Sequence, residues 1–406
     1  TSRATKYSPW RTFIPRYWLP TINDGIDGGF RIGGITSGVD VIGRHTITAG
    51  FQVPTNNRGG VTGSFNYQYA GFGLPVIQIN GSQDWESLGG IFARNATRDR
   101  VGELFRRTWT GEALATWIHQ RARSSLSLTG GVGLEHRAHF TTGGVSVASI
   151  DSGASLATLG SPTYPSLIAS ASFANYQRPP FSISQEDGIQ IGATVRDRIQ
   201  SGLNGEGPSS YSTVAAASAF KSINLPGFAH HVIALHASAG YADDHASGYY
   251  SVGGISGGQI PIIPGYVLGE GSQTFPVRGF SPGTLIGTRA LSGSAEYRIP
   301  LFMVGNGPGA LPFFFDRSSL TLFGDIGSAW CPDVKIGREV CNTSVDPNLT
   351  RKLTIGSFGG EINVNVAALT WDSPYRFRLG VAVPTQNADF FGRAGMQLYF
   401  VTGIGF

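Results

Sequence analysis

Charge is scarce in this 406-residue chain, so the few charged residues set among apolar neighbours mark where chemistry could happen. The sharpest case is Arg278 in TFPVRGFSP (274–282), flanked by Val277, Gly279 and Phe280. A guanidinium in such a setting either points into water or reaches a buried carboxylate, and the spacing leaves both open. Its planar fork suits two carboxylate oxygens at once. The last third of the chain offers Glu296 in GSAEYRIPL, Asp325 in LFGDIGSAW and Glu361 in GEINVNVAAL. Arg376 and Arg378, alternating with Tyr375, Phe377 and Leu379, add cations to the same region. The chemistry these residues can do is a charge-assisted lock.

Signatures of catalysis and metal binding are weak. GISGG (254–258) satisfies G-x-S-x-G, but that motif works on a strand-to-helix elbow and no helical pattern follows it. EHRAH places Glu135, His136 and His139 together, and YADDH places Asp243, Asp244 and His245 together. Neither has zinc-protease spacing on a helix. Polar strand ends facing water account for both, so the chain reads as a non-enzyme with no catalytic residue, metal or cofactor.

The elements that must position the charges follow a period of two. In RHTITAGFQV, Ile47, Ala49, Phe51 and Val53 share one face and Thr46, Thr48, Gly50 and Gln52 the other. Leu126, Leu128, Val132 and Leu134 likewise alternate with Ser127, Thr129, Gly131 and Glu135. The apolar parity of Leu291, Ala295, Tyr297, Ile299 and Leu301 forces Glu296 and Arg298 to the opposite face. The same argument turns Asp325 and Glu361 away from Leu322, Ile326, Ile362 and Val364. Long strands that are apolar on one side and polar or glycine-rich on the other match a wall with lipid outside and a polar lumen inside.

About sixteen such segments occur, the first near 27–38, the eleventh near 245–256 and the last near 394–406. An even number is what a closed antiparallel barrel needs. The fold expected is all-β, a 16-stranded antiparallel transmembrane β-barrel over 28–406, the alternative being a soluble sandwich or propeller with shorter strands. Arg278 falls in a segment of about thirty residues between strands, a length that marks a functional or inward-folded loop.

Composition agrees. Glycine is 58 of 406 residues while charged residues are 14% and hydrophobic ones 41%, which fits a turn-rich sheet protein rather than disorder. No apolar run reaches the roughly 18 residues of a membrane helix. Lysine is found only at Lys6, Lys221, Lys335 and Lys352, so the net charge of +4 is carried by arginine, a poor nucleic-acid footprint. The chain starts at Thr1 without a basic or apolar leader pattern, as expected after removal of a signal peptide.

Residues 1–27 break the pattern: KYSPWRTFIPRYWLP carries five aromatics and three prolines. This stretch is expected to be an ordered connector on the barrel rim or in its lumen. At the other end Met396, Leu398, Phe400, Ile404 and the terminal Phe406 share a face, with Thr402 interrupting it.

The segments FPVRGF (275–280), GSAEYRIPL (293–301) and LFGDIGSAW (322–330), in this order and with an aromatic last residue, resemble the barrel domain of the outer-membrane insertase and two-partner-secretion superfamily. This is the bacterial surface antigen family, which includes the Bam and Tam assembly barrels and the mitochondrial and chloroplast import channels. The resemblance covers 28–406. It implies location in the bacterial outer membrane, in contact with lipid and lipopolysaccharide, and a sixth extracellular loop folded into the lumen. There Arg278, with Gly279 and Phe280, contacts Glu296 and Asp325. It also implies insertion or translocation of client proteins through a seam between first and last strands, and places the cysteine loop on the extracellular side. Phe406 resembles the signal that such barrels present to their assembly machine. The stretch YSPWRTFIPRYWLP looks like the junction in members whose barrel follows a periplasmic β-propeller, implying an upstream periplasmic domain or partner. An anchoring barrel for a partner complex, or a passive pore lined by Glu361, Arg376 and Arg378, are the other readings.

Cys331 and Cys341 lie ten apart in CPDVKIGREVC, a spacing that suggests a disulfide in an oxidising compartment, the alternative being two free thiols. A thiol reagent is expected to add nothing to the intact protein before reduction and two adducts after it. Two adducts without reduction would remove the bridge.

Overall fold

The computed structural model describes residues 7–24, 30–56, 59–92, 100–141, 163–199, 210–223, 225–243, 250–255, 260–263, 266–268, 275–281, 283–307, 309, 313–331, 353–368, 375–389, 391 and 393–404. After a short helix α1 (Trp10–Phe13) come strands β1 (Leu19–Asp24), β2 (Phe30–Val39), β3 (His45–Pro54), β4 (Thr62–Tyr69), β5 (Val76–Phe92) and β6 (Arg100–Gln120). They are followed by β7 (Ser125–Thr141), β8 (Thr163–Ala174), β9 (Gly188–Arg198), β10 (Ser210–Ile223) and β11 (His231–Ala242). Four short strands intervene: β12 (Tyr250–Val252), β13 (Ile260–Ile263), β14 (Tyr266–Leu268) and β15 (Leu285–Gly287). Then come β16 (Arg289–Asn306), β17 (Phe313–Trp330), β18 (Leu353–Ala368), β19 (Tyr375–Gln386) and β20 (Gln397–Ile404).

β1 to β11 and β16 to β20, sixteen strands, form one closed antiparallel barrel. Closure solves a backbone problem: every N–H and C=O must find a partner, and a barrel has no free edge. The expected count of sixteen stands, but two of its members differ from expectation. Over its described residues the expected strand 245–256 does not join the wall: Tyr250–Val252 pairs with the short β15, and Val252 also bridges to Phe275. The missing strand is made up at the N-terminus, where Leu19–Asp24 pairs with β2 from Leu19↔Ile35 to Asp24↔Phe30. The barrel therefore begins at residue 19, not 28. Pro20 obscured that strand in the sequence; its ring is tolerated because it sits at the strand's second residue.

The wall inverts the soluble pattern. Leu128, Val132, Leu235, Ile326, Ile362 and Leu379 are exposed, while Gln78, Asn66, Thr116, Glu135 and Asn365 are buried. Such an apolar outer surface is far larger than a soluble monomer presents, and it is satisfied by hydrocarbon. No helix among the described residues is long and apolar enough to cross a membrane, so the crossing is by strands.

The connections sort into two rims. Those after β2, β4, β6 and β10 are short and lie at the end where the N-terminal segment enters β1. Those after β7, β11 and β17 are long and lie at the other end. The segment after β11 folds inward. Val252, Phe275, Val277, Phe280 and Leu285 pack in one buried cluster with Ala290, Ala329 and Ile355, inward-facing residues of β16, β17 and β18. Bridges Val252↔Phe275 and Gly254↔Val277 tie the segment to itself.

The N-terminal aromatic segment packs on the outer face beside the short-turn rim, where the Tyr7 hydroxyl donates to Asp40 Oδ2 at 2.5 Å in the β2–β3 turn. The backbone of Phe13 passes directly over Gly38, and the Trp18 ring lies over Gly34. Between them the Thr36 hydroxyl donates to the Tyr17 carbonyl. Phe13 packs edge-on to His45 and Tyr67, and Trp18 to Phe51, all outward residues of β3 and β4. The small outward residues of β2 make the groove that admits this strap.

Gly327 on β17 has the matching role inside: a Cβ there would stand 2.6 Å from Val277 Cγ2 and 2.7 Å from Val252 Cγ1. Gly327→Val is therefore expected to expel the inward segment while leaving the outer wall intact. The check is semi-native electrophoresis with limited proteolysis. The barrel should still run as a folded band, and the 243–288 segment should become cleavable; an uncut segment would refute the steric argument.

Candidate functional site

The candidate site is the inner face of β16 to β20 where the inward segment meets it. Parity puts Ser294, Glu296 and Arg298 of β16, Thr321, Phe323 and Asp325 of β17, Glu361 of β18, Arg376 and Arg378 of β19 and Tyr399 of β20 on the lumen side. The register then lines them up: Ser294↔Asp325, Glu296↔Phe323 and Thr321↔Glu361 are direct neighbours.

Arg278 enters this face from above. Its Nε donates to Asp325 Oδ2 at 2.7 Å and its Nη2 to Asp325 Oδ1 at 2.7 Å, a bidentate fork. Its own backbone N–H donates to Asp325 Oδ2 at 3.1 Å. Nη2 also donates to Ser294 Oγ at 2.9 Å and lies 3.0 Å from Glu296 Oε1. The guanidinium carbon sits 3.6 Å from the centroid of the Phe323 ring, so the planar cation is stacked as well as paired. Arg278 is 5% exposed and Asp325 6%, which places the pair out of bulk water.

The local backbone makes this reach possible. Gly279 has φ +89, a conformation that side-chain-bearing residues avoid, and a Cβ there would stand 3.0 Å from Ala382 Cβ and 3.2 Å from Pro384 Cγ. The turn therefore presses against β19 while Arg278 crosses to β17. Phe280 is buried in the apolar cluster and accepts a hydrogen bond from the Gly254 N–H at 2.8 Å through its carbonyl.

The carboxylates carry the network outward. Glu296 Oε2 accepts from Arg298 Nε at 2.9 Å and Nη2 at 2.6 Å, and Arg298 Nη2 lies 3.1 Å from His236 Nε2 on β11. Glu361 accepts from Arg378 Nε at 3.1 Å and Nη2 at 2.8 Å, and from the Tyr399 hydroxyl at 2.9 Å. Arg376 donates to Asn365 Oδ1 at 3.1 Å. One group of contacts joins β11, β16, β17 and the inward segment, and a second joins β18, β19 and β20. Since cations and carboxylates are already joined, the arrangement holds structure.

The structure brings Arg278, Glu296 and Asp325 together and places Glu361 with Arg378 rather than on Arg278. Sequence reasoning missed Ser294, Phe323, His236 and Tyr399, whose roles depend on cross-strand register. It also missed a second network on the opposite wall. Glu135, taken as a water-facing strand end, is buried; it accepts from Arg137 Nε at 2.6 Å and Arg198 Nε at 2.8 Å. Arg196 pairs with Glu112, which accepts from Asn80 at 3.3 Å. Parity already turned Glu135 inward, but its partner on β9 is 63 residues away and no local signal pointed to it.

His136 lies on the outer face, so EHRAH does not gather its residues on one side. Asp244, His245 and Ser256 lie outside the described residues, as do Cys341 and Phe406. Among the described residues no group of three His, Cys, Asp or Glu could hold a metal ion.

No family model matches the chain, and no curated protein matches it by sequence. Solved structures do. Over 96% of its length the chain superposes on CdiB from Escherichia coli at 12% identity with a TM-score of 0.61, covering 63% of that protein. It superposes on BamA from Haemophilus ducreyi lacking POTRA domains 1–3 over 94% at 13% identity and TM-score 0.55, covering 68% of that chain. CdiB from Acinetobacter baumannii matches over 95% at 9% identity and TM-score 0.51, with 59% of its chain covered. The chain therefore spans about two thirds of these proteins or less. The shared property is the fold: a 16-stranded outer-membrane barrel of the kind the three motifs resemble.

Breaking the fork tests its weight. Arg278→Ala or Asp325→Ala each strand a buried charge, and each is expected to cost about 3–5 kcal/mol. The double variant should cost less than the two singles combined, because neither charge is then left unpaired. Arg278→Lys should recover only part, keeping the charge but losing the bidentate fork. Denaturant titration of the refolded barrel reads all four, and strict additivity would show that the two groups are not coupled.

Proposed function

We propose that this chain resides in the bacterial outer membrane and assists the insertion or translocation of client proteins through the seam between β1 and β20. The observation that carries the reading is the asymmetry of closure. β1 is held to β2 by six register pairs, from Leu19↔Ile35 to Asp24↔Phe30. Against β20 the described residues give one, Ile22↔Thr402. A strand pair with so short a ladder leaves backbone donors and acceptors available, and a client strand can take them by edge addition.

The lumen network suits that role. With Arg278 fixed to β17 and Glu361 joining β18, β19 and β20, the wall behind the seam keeps its shape while the first hairpin moves. The short-turn rim is then periplasmic and the long-loop rim extracellular, which puts the Cys331 loop outside the cell. An upstream periplasmic domain that recruits clients, and lipopolysaccharide as a neighbour in the outer leaflet, belong to the same reading. The inward segment, packed by its apolar cluster against β16 to β18, favours a gated barrel over a wide passive pore.

Cysteines placed at the seam partners, Ile22→Cys with Thr402→Cys, test this directly. The oxidised variant is expected to fold but to lose its ability to speed assembly of a small outer-membrane barrel into vesicles, with recovery on reduction. Each single variant serves as the control for the natural cysteine pair. An oxidised variant that assembles clients as fast as the reduced one would remove the seam mechanism and leave a barrel that anchors.

A further inference from the structure

Arg107 on the outer wall sits in an unusual setting. Outward residues of β5 to β8 align in a single row across four strands, Gln83↔Trp109, Trp109↔His136 and His136↔Thr163. The row is stitched together: the Trp109 indole N–H donates to Gln83 Oε1, and His136 Nδ1 lies 2.9 Å from Thr163 Oγ1. Toward the short-turn rim the outward positions are apolar, through Ile79, Ala113, Trp117 and Val132. Trp109 and Trp117 are eight residues apart on β6, about 26 Å along a strand at roughly 3.3 Å per residue. With the 35–45° tilt of such barrels this gives about 20 Å of membrane, close to the usual apolar band. The row is where hydrocarbon gives way to headgroups.

Arg107 stands one step beyond it, toward the long-loop rim, with Trp85 and Ala138 as its register partners. The guanidinium carbon lies 4.4 Å from the Trp109 ring centroid, 4.8 Å from Phe140 and 5.7 Å from Trp85. Trp85 and Phe140 meet across it at 5.0 Å between centroids. Among the described residues no ion pair involves Arg107. Two donors of the cluster, Arg107 Nε and Trp85 Nε1, are buried without a hydrogen-bond partner, though Arg107 as a whole stays part exposed. A cation preorganised by three rings, facing outward at headgroup depth and without an ion pair among the described residues, is built to receive an anion.

The geometry points to Arg107, in its cradle of Trp85, Trp109 and Phe140, as a site for the phosphate of a lipid headgroup in the leaflet at the long-loop rim. The chemistry recognised is an anionic phosphate ester whose acyl chains lie along the apolar wall below the row. This inference rests on the membrane-spanning reading of the barrel but not on the seam or on the Arg278 fork, so it fails separately from them.

The experiment is native mass spectrometry of the full chain released from micelles containing bisphosphorylated lipid A. The parent is expected to retain the lipid, with Arg107→Gln binding about tenfold more weakly and Arg107→Lys in between. Lipid A stripped of its phosphates should bind the parent as poorly as the phosphorylated form binds Arg107→Gln. Millimolar inorganic phosphate should not displace the lipid; displacement would make the site one for a free anion and overturn the headgroup assignment. Equal retention by Arg107→Gln and the parent would overturn the site itself. Heat-modifiability of each variant verifies the fold, since Arg107 lies on the outer face and holds no strand pair.

Discussion

A guanidinium removed from water keeps its charge only where a matched set of acceptors is already in place, and the wall from β16 to β19 is arranged around that demand at Arg278. Asp325 supplies both oxygens of the fork, Ser294 and Glu296 take the remaining donor capacity, and Phe323 presents a ring face. Each of these needs the others. Without the register Ser294↔Asp325 the hydroxyl could not serve both partners, and without the Gly279 turn the arginine could not cross from β19 to β17. The inward segment is thus held by apolar packing nearer the long-loop rim and by a directional ion pair deeper in the lumen.

The same demand recurs on the far side of the lumen, where Glu135 gathers Arg137 and Arg198 and Glu112 gathers Arg196. A barrel with lipid outside has no apolar core in the usual sense. Its inner face is polar and half dehydrated, and cross-strand charge networks take the part that hydrophobic packing takes elsewhere. Two such networks on opposing walls stiffen most of the circumference.

Stiffness is unequal around the barrel. β20 is tied back to β18 and β19 through Tyr399, Glu361 and Arg378. β1 is tied to β2, and the aromatic strap from Tyr7 to Trp18 lies over β2 and reaches β3 and β4. Both sides of the seam are therefore braced away from it, while the seam itself has little ladder. Among the described residues the β1–β20 pair has the shortest ladder of the barrel, a single register pair.

Much of this was legible in one dimension. Period-two alternation carried the all-β barrel and turned Glu296, Asp325, Glu361 and Glu135 inward, because side-chain direction in a strand depends only on parity. Arg278 stood out because charge is rare in so apolar a setting. What parity could not supply was register, the choice of which inward residues face one another across strands far apart in sequence. That choice decided that Asp325 and not Glu361 receives the fork, that Glu135 is bound by Arg198, and that Tyr250–Val252 pairs inside the lumen while Leu19–Asp24 completes the wall. The sequence alone determined the faces, since they follow from local backbone geometry. Only the closed barrel decided the partners, since closure sets the stagger of every strand against its neighbours at once.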